Sequence, residues 1–232
     1  MSRAHGVLSA RTFPVVLSAP SGAGKTTIAR RLRERRGDVV FSVSATTRPA
    51  RDYEVDGRDY HFVAPGDFRR MIDGGELLEW AEVHGNYYGT PRRNLDQAVD
   101  RGQFLLLDID VQGARQIRMH APEALHVFVL PPSGAELVER LMGRGSESDS
   151  TRARRLRNAC AEVQEAAEFD YVVVNDDLDA TVDAIEGVMA AEAHRIRRIP
   201  GFAQALDRLC DEIRDHTEPP SGASANESST QE

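Results

Sequence analysis

The chain has 232 residues and a mass of 25.6 kDa, is 41% hydrophobic, and carries a formal net charge of -8 at pH 7. That length holds one α/β domain with insertions or two small domains, and the apolar fraction supports a packed core rather than global disorder. The acidic balance argues against a partner as large as nucleic acid, whose phosphates need a broad basic surface, but it leaves room for a local basic pocket that takes a small phosphorylated molecule. No run of 18 apolar residues is present to span a membrane, and no signal-peptide pattern opens the chain, so a cytoplasmic location is expected. The two cysteines, Cys160 and Cys210, have neither metal-ligand spacing nor the makings of a disulfide framework; both fall in helical patterns and read as small core hydrophobes.

Residues 1–12 read as a short polar extension. Phe13 to Ser18 follows as a strand, with Pro14 tolerated near its start. A glycine-rich loop comes next, and Thr26 to Leu32 reads as a helix with Ile28 and Leu32 on one face. Val39 to Val43 is a second strand. Residues 44–90 change texture: Arg, Asp, Tyr and Gly are frequent and no long core strand shows. Tyr60 to Val63 reads there as a small half-buried strand and Pro65 to Ile72 as a short helix; the stretch is too long for a loop and too polar for the main core, and it is expected to be a small inserted domain.

Phe104 to Asp110 is an apolar run ending in carboxylates, and Leu125 to Leu130 and Tyr171 to Val174 complete the strands. Continuous apolar runs separated by helical patterns point to an α/β fold with a mostly parallel sheet flanked by helices. Residues 136–142 and 149–168 read as helices around a Gly143-Arg144-Gly145 break. Leu178 to Ile199 reads as a further helix, with Leu178, Val182, Ile185 and Met189 on one stripe, and Phe202, Leu206, Leu209 and Ile213 repeat that spacing beyond Pro200. The main domain is thus expected over residues 13–43 and 91–217, and the Pro-, Ser- and Glu-rich residues 218–232 read as a disordered tail.

The first chemical signal is Ala19-Pro20-Ser21-Gly22-Ala23-Gly24-Lys25-Thr26. Ala19 stands where the common phosphate-loop pattern has its first glycine, so the usable form is Gly22, Gly24, Lys25 and Thr26. Glycines let successive backbone N–H groups turn toward phosphate oxygens, and the following helix adds its unpaired N-terminal N–H groups. Lys25 then reaches the β- and γ-phosphates and the Thr26 hydroxyl ligates Mg²⁺. A strand before and a helix after supply the context this motif requires, so donor phosphates are expected against Ser21, Gly22, Ala23, Gly24, Lys25, Thr26 and Thr27. Asp108 and Asp110 end a later strand, where a carboxylate approaches Mg²⁺ or a substrate, or simply caps the strand.

A second basic pair, Arg48 and Arg51, lies behind Ser44 at the end of the second strand, on the same sheet edge as the glycine loop if the strands are parallel. Arginine forks match phosphate geometry. Tyr60 and Tyr88 offer hydroxyls, and Glu79 and Asp108 offer acceptors for the amino or imino groups of a base. Each of these taken alone fits an ordinary solvated face as well. A third set, Arg140, Arg144 and Arg155, lies in residues 140–157, where six arginines face two acids. It reads either as a solvated helix face or as a mobile lid that neutralises charge during phosphoryl transfer.

Taken together these segments resemble the guanylate kinase family. The resemblance rests on Ser18 to Lys25, Ser42-Val43-Ser44-Ala45-Thr46-Thr47-Arg48, Gly85-Asn86-Tyr87-Tyr88-Gly89-Thr90, Leu107 to Gly113, Phe128 to Ser133, Gly143-Arg144-Gly145 and Val174-Asn175-Asp176-Asp177, in family order over about residues 13–215. It implies a P-loop NTPase-type fold with inserted monophosphate-binding and lid regions, and transfer of the γ-phosphoryl group of Mg-ATP to GMP or dGMP. It assigns Lys25 to the donor phosphates and Thr26 to Mg²⁺, and sets Arg48, Arg51, Tyr60 and Tyr88 on the GMP phosphate. Ser44, Glu79, Thr90 and Asp108 surround guanine, with Asp110 beside them. Arg140, Arg144 and Arg155 belong to the lid and its flanks, and Asn175 lies near adenine. The expected partners are ATP and GMP, with no nucleic acid and no membrane, and nothing points to a protein partner. The chain departs from the family at Pro49-Ala50-Arg51-Asp52-Tyr53, where the proline comes one place early and Tyr53 replaces a glycine, while both arginines keep their spacing. Two rivals are a nucleoside monophosphate kinase with another base preference, opposed by Glu79 and Asp108, and a non-catalytic interaction module, opposed by the retained Lys25, Arg140, Arg144 and Arg155.

Overall fold

A computed structural model of the chain describes residues 11–83, 85–142 and 149–216. Residues 11–193 form one compact unit, and the described residues 194–216 belong to a second.

The first unit is built on a five-stranded sheet in the order β2-β7-β1-β8-β9, comprising β1 (Pro14–Ser18), β2 (Val39–Phe41), β7 (Phe104–Asp108), β8 (Leu125–Leu130) and β9 (Tyr171–Val174). Every pairing in it is parallel. Side chains of a strand alternate between faces. Val15 and Leu17 of β1 accordingly pack with Ile28 and Leu32 of α1 (Lys25–Arg35) and with Val182, Ile185 and Met189 of α7 (Leu178–Ala193). Val16 packs on the other face with Leu105, Leu107, Ala98 of α3 (Arg92–Asp100) and Ala114 and Ile117 of α4 (Val111–His120). Burial on both faces explains why these strands read as unbroken apolar runs.

A second sheet, in the order β4-β3-β6-β5, collects β3 (Ala45–Thr46), β4 (His61–Phe62), β5 (Leu77–Val83) and β6 (Asn86–Pro91). Its small core of Ala45, Phe68 and Leu77 includes the one buried residue of α2 (Pro65–Asp73), and Phe68 stacks on Tyr87 with ring centroids 5.4 Å apart. Here the sequence reading falls short. No long strand was expected in 44–90, yet β5 has seven residues. Its first three are buried and its last four mostly exposed, so neither a period of two nor a continuous apolar run marks it.

Helices α5 (Gly134–Met142) and α6 (Asp149–Gln164) pack together through Leu137, Leu141 and Ala159. The expected helix over 149–168 ends at Gln164, and Glu165–Glu168 continue as a 3-10 turn. The helix expected from Leu178 to Ile199 ends at Ala193; Arg195 is extended (ψ 131°), and Ile196–Arg198 forms a short 3-10 turn before Pro200. In the second unit, α8 (Phe202–Asp215) starts after Gly201 at φ 67° and leaves Leu206, Leu209 and Ile213 exposed. Both cysteines are exposed, which corrects their reading as core residues: Cys210 shares the stripe of Leu206, Leu209 and Ile213 that α8 leaves exposed, and on α6 the neighbouring Ala159 joins the buried cluster in place of Cys160. Residues 1–10 of the expected 1–12 extension, the Gly143-Arg144-Gly145 break and the tail from 218 lie outside the described residues.

Candidate active site

The loop between β1 and α1 turns on two glycines with positive φ, Gly22 at 89° and Gly24 at 92°, a backbone that side-chain-bearing residues adopt only under strain. Space reinforces the requirement. A Cβ on Gly24 would lie 2.6 Å from Asn175 Nδ2, and one on Gly22 would meet Leu141 of α5 at 3.3 Å. Asn175 uses the room to donate to the Ala23 carbonyl at 2.7 Å. The residue expected near adenine thus braces the phosphate loop itself. No side chain caps α1, so its first N–H groups are available to an anion.

Asp108, at the end of β7, accepts from both functional side chains of this loop: the Lys25 ammonium on Oδ1, and the Thr26 hydroxyl on Oδ2 at 2.9 Å. The pairing follows from register, since β1 and β7 are adjacent and parallel with Leu17 opposite Asp108, so the two C-terminal ends meet. A hydroxyl and a carboxylate side by side are hard oxygen donors, and this set fits Mg²⁺, which binds proteins through few such ligands while phosphates and water supply the rest.

Asp108 also lines a cavity of about 160 Å³ with Ser44, Tyr60, Glu79, Ala81, Val83, Tyr88, Gly89, Ile109 and Asp110. Six residues picked from sequence therefore share one cavity between the second sheet and the C-terminal edge of the first. Glu79 is its most constrained member. It sits on β5 between Leu78 and Trp80, and α4 fastens both neighbours: Gln116 donates to the Trp80 carbonyl at 2.8 Å and accepts from its N–H at 3.0 Å, while His120 Nδ1 bonds the Leu78 carbonyl at 2.7 Å. Thr90, fully buried behind the cavity, donates its hydroxyl to Glu79 Oε1 at 2.7 Å. Gly113 of α4 allows the close approach, because a Cβ there would fall 3.0 Å from Glu79 Oε2. Burial pushes the Glu79 carboxyl up to about 7, against the opposing Thr90 bond and with the Asp110 charge adding to it. Asp110 itself caps α4, accepting from the Gly113 N–H at 2.8 Å.

The arginines divide. Arg48 lies over the Tyr60 ring, 5.4 Å from its centroid, and so reaches the cavity wall. Its guanidinium is held by Glu54 through two bonds of 2.8 and 3.0 Å. That fork, with the Tyr88 hydroxyl second, raises the Arg48 pKa above its ordinary value, and Arg48 first and the Arg51 N–H next hold Glu54 below the usual carboxylate range. Arg51 turns to the Tyr53 hydroxyl at 2.9 Å and is not among the cavity's lining residues. Arg140 bonds Glu136 within its own helix at 2.9 Å, Arg155 is half-buried on α6, and Arg144 lies outside the described residues. The reading missed Glu54, whose only sequence signal is an acid six places after Arg48, and Gly113 and Glu162, whose partners are 34 and 141 positions away.

The guanylate kinase family model matches residues 11–192. The chain is 50% identical to the guanylate kinase of Thermosynechococcus vestitus over 179 residues, covering 77% of this chain and 94% of that one. It is 45% identical to the guanylate kinase of Agrobacterium fabrum over 207 residues, or 88% and 94% of the two chains. The chain belongs to the guanylate kinase family. The crystal structure of guanylate kinase from Anaplasma phagocytophilum overlays with a TM-score of 0.70 at 37% identity, covering 88% of this chain and 97% of that one. This guanylate kinase family member is therefore an ATP-dependent kinase whose parallel sheet and flanking helices match a solved relative. Among the described residues, no helix is long and apolar enough to cross a membrane.

Proposed function

We propose that the chain transfers the γ-phosphoryl group of ATP to GMP, or dGMP, giving ADP and GDP or dGDP. The observation that carries this reading is the position of Asp108. Its carboxylate touches Lys25 and Thr26 of the phosphate loop and also lines the cavity holding Glu79, Ser44, Tyr60 and Tyr88, so donor and acceptor sites meet at one residue.

No general base is required, because an acceptor phosphate oxygen is already a nucleophile; rate comes from alignment and charge stabilisation. Lys25, the start of α1 and the loop N–H groups other than that of Ser21 bind the donor phosphates. Thr26 and Asp108 would hold Mg²⁺, which when bound would supply charge neutralisation on the phosphate oxygens. Arg48, braced by Glu54, and the hydroxyls of Tyr60 and Tyr88 take the acceptor phosphate, with Arg51 joining by leaving Tyr53. Arg140, Arg144 and Arg155 are the cations we assign to neutralising the transferring charge, Arg140 by leaving Glu136. Ionised Glu79, with Ser44 and Asp110, accepts from guanine N1–H and N2, donors that adenine lacks, so AMP would leave buried acceptors unpaired. The four-stranded sheet of residues 45–91 forms the monophosphate-binding part. Both substrates are cytoplasmic nucleotides, and we assign the activity to purine nucleotide metabolism there.

The test is an acceptor assay with ATP and Mg²⁺, following ADP formation. GMP and dGMP should turn over readily and AMP and UMP poorly. Equal turnover of AMP or UMP would sink the guanine assignment.

A further inference from the structure

The phosphate loop is gripped from outside its own strand and helix. The Ser21 N–H donates to Glu162 Oε2 of α6 at 2.9 Å, across 141 positions of sequence. One residue on, the α face of Gly22 is packed by Leu141 and Leu137 of α5, which would stand 3.3 and 3.5 Å from a Cβ there. The same two leucines pack on Ala159, with Leu156 and Val163 around them, so α5 and α6 form one small cluster. The helix pair thus meets the loop at two adjacent points, one apolar and one polar.

The two contacts differ in what they can specify. Leucine packing tolerates sliding and rotation. A hydrogen bond from a backbone N–H to a side-chain oxygen fixes distance and direction. Glu162 lies seven residues after Arg155, close to two full turns, so the two side chains share a face about 10.5 Å apart along the axis. Holding Glu162 against Ser21 therefore sets the rotation of α6 and, with it, the direction in which Arg155 projects relative to the loop.

We infer that Glu162 is a positioning residue for phosphoryl transfer: by accepting the Ser21 N–H it locks the arginine-bearing helix α6 in register with the phosphate loop. This rests on the kinase reading above. It acts through the loop and through α6, with no contact to the substrates. Its acceptor oxygen is the operative feature, not its charge, so an amide of the same shape should replace it.

The experiment compares Glu162→Gln and Glu162→Ala in the full chain. Glu162→Gln retains an acceptor for the Ser21 N–H and should stay within about threefold of the parent in kcat, whereas Glu162→Ala frees the helix and should lose about tenfold or more, since small misplacements of catalytic groups cost on that scale. KM for GMP should move less than about twofold in either, because the acceptor cavity is untouched. Amide hydrogen exchange at Ser21 gives a readout independent of turnover: slow in the parent and Glu162→Gln, fast in Glu162→Ala. A Glu162→Ala enzyme with parental kcat, or a Glu162→Gln enzyme as impaired as Glu162→Ala, would overturn the inference, as would fast Ser21 exchange in the parent. Absence of GMP turnover in the parent would count against the proposed function instead, and Ser21 exchange would still decide the contact.

Discussion

The Thr90 hydroxyl donates to Glu79 Oε1 at 2.7 Å, and both residues are buried. This bond opposes the burial that raises the Glu79 carboxyl to about 7. Guanine needs the ionised form as an acceptor, so GMP binding should weaken as pH falls through 7. KM for GMP should rise up to about tenfold per pH unit on the acid side, the limit for one proton. The GMP phosphate titrates near 6 as well. Glu79→Gln isolates the protein's share: it should raise KM overall and remove the step near 7 expected of the parent.

Thr90→Val keeps the shape of the side chain and deletes the donor. A buried carboxyl loses a hydrogen-bonding side chain, at a stability cost of about 1–3 kcal/mol, and its pKa moves further up. Thermal unfolding should show the loss, and the acid limb of the GMP profile should shift to higher pH.

Lys25→Ala removes the cation that Asp108 holds against the loop. Turnover should fall on the order of 10²–10³-fold, the scale of losing one electrostatic contact to a developing charge. GMP affinity by calorimetry should stay within a few-fold of the parent, since Lys25 is on the donor side. Unchanged turnover would refute the donor assignment.

Gly24→Ala meets two obstacles, a φ of 92° and Asn175 Nδ2 at 2.6 Å. The backbone strain alone is about 1–3 kcal/mol. Melting temperature should drop by several degrees and ATP affinity should fall with it, because Asn175 must abandon the Ala23 carbonyl. Asn175→Ala should lose ATP affinity with a smaller stability change, which separates the brace from the strain.

Two buried groups titrate in opposition. Glu79 is raised from 4.5 to about 7, so its folded form holds a proton the unfolded form has lost; its stabilisation is present below 4.5 and fades as pH rises to 7. His126 is lowered from 6.5 to about 4 by burial first and the Arg118 charge second, and its Nε2 is buried without a partner among the described residues. Its contribution is present above 6.5 and is lost as pH falls toward 4. Between pH 4.5 and 6.5 the two slopes offset each other. Denaturant titrations should show stability rising with pH across that window in Glu79→Gln and falling with pH in His126→Phe, relative to the parent.

The sequence made the central sheet legible because Val15 to Leu17, Leu105 to Leu107 and Val127 to Val129 are buried on both faces, which leaves unbroken apolar runs. It hid β5 and β6, where Trp80, Val83 and Glu82 are exposed or half-exposed beside buried Leu78 and Glu79. The candidate cavity was legible through residue chemistry: carboxylates, tyrosines and a serine standing near the ends of short strands. What could not be read was who holds whom. Arg48 and Arg51 kept their spacing, yet the structure ties one to Glu54 and the other to Tyr53. Asn175 is expected near adenine, and nothing in its spacing announces that it also braces the Ala23 carbonyl. Such pairings depend on folded distance, which spacing along the chain does not encode. The helix that stops at Ala193 had no proline or glycine to announce it before Pro200.

Cys160 is exposed on α6, two residues before Glu162. With Cys210 replaced by serine it would be the sole thiol of the chain. The protein thus carries its own attachment point for an environment-sensitive fluorophore beside the contact between α6 and the phosphate loop. Nucleotide addition could then be followed in real time by stopped-flow fluorescence without engineering a new cysteine.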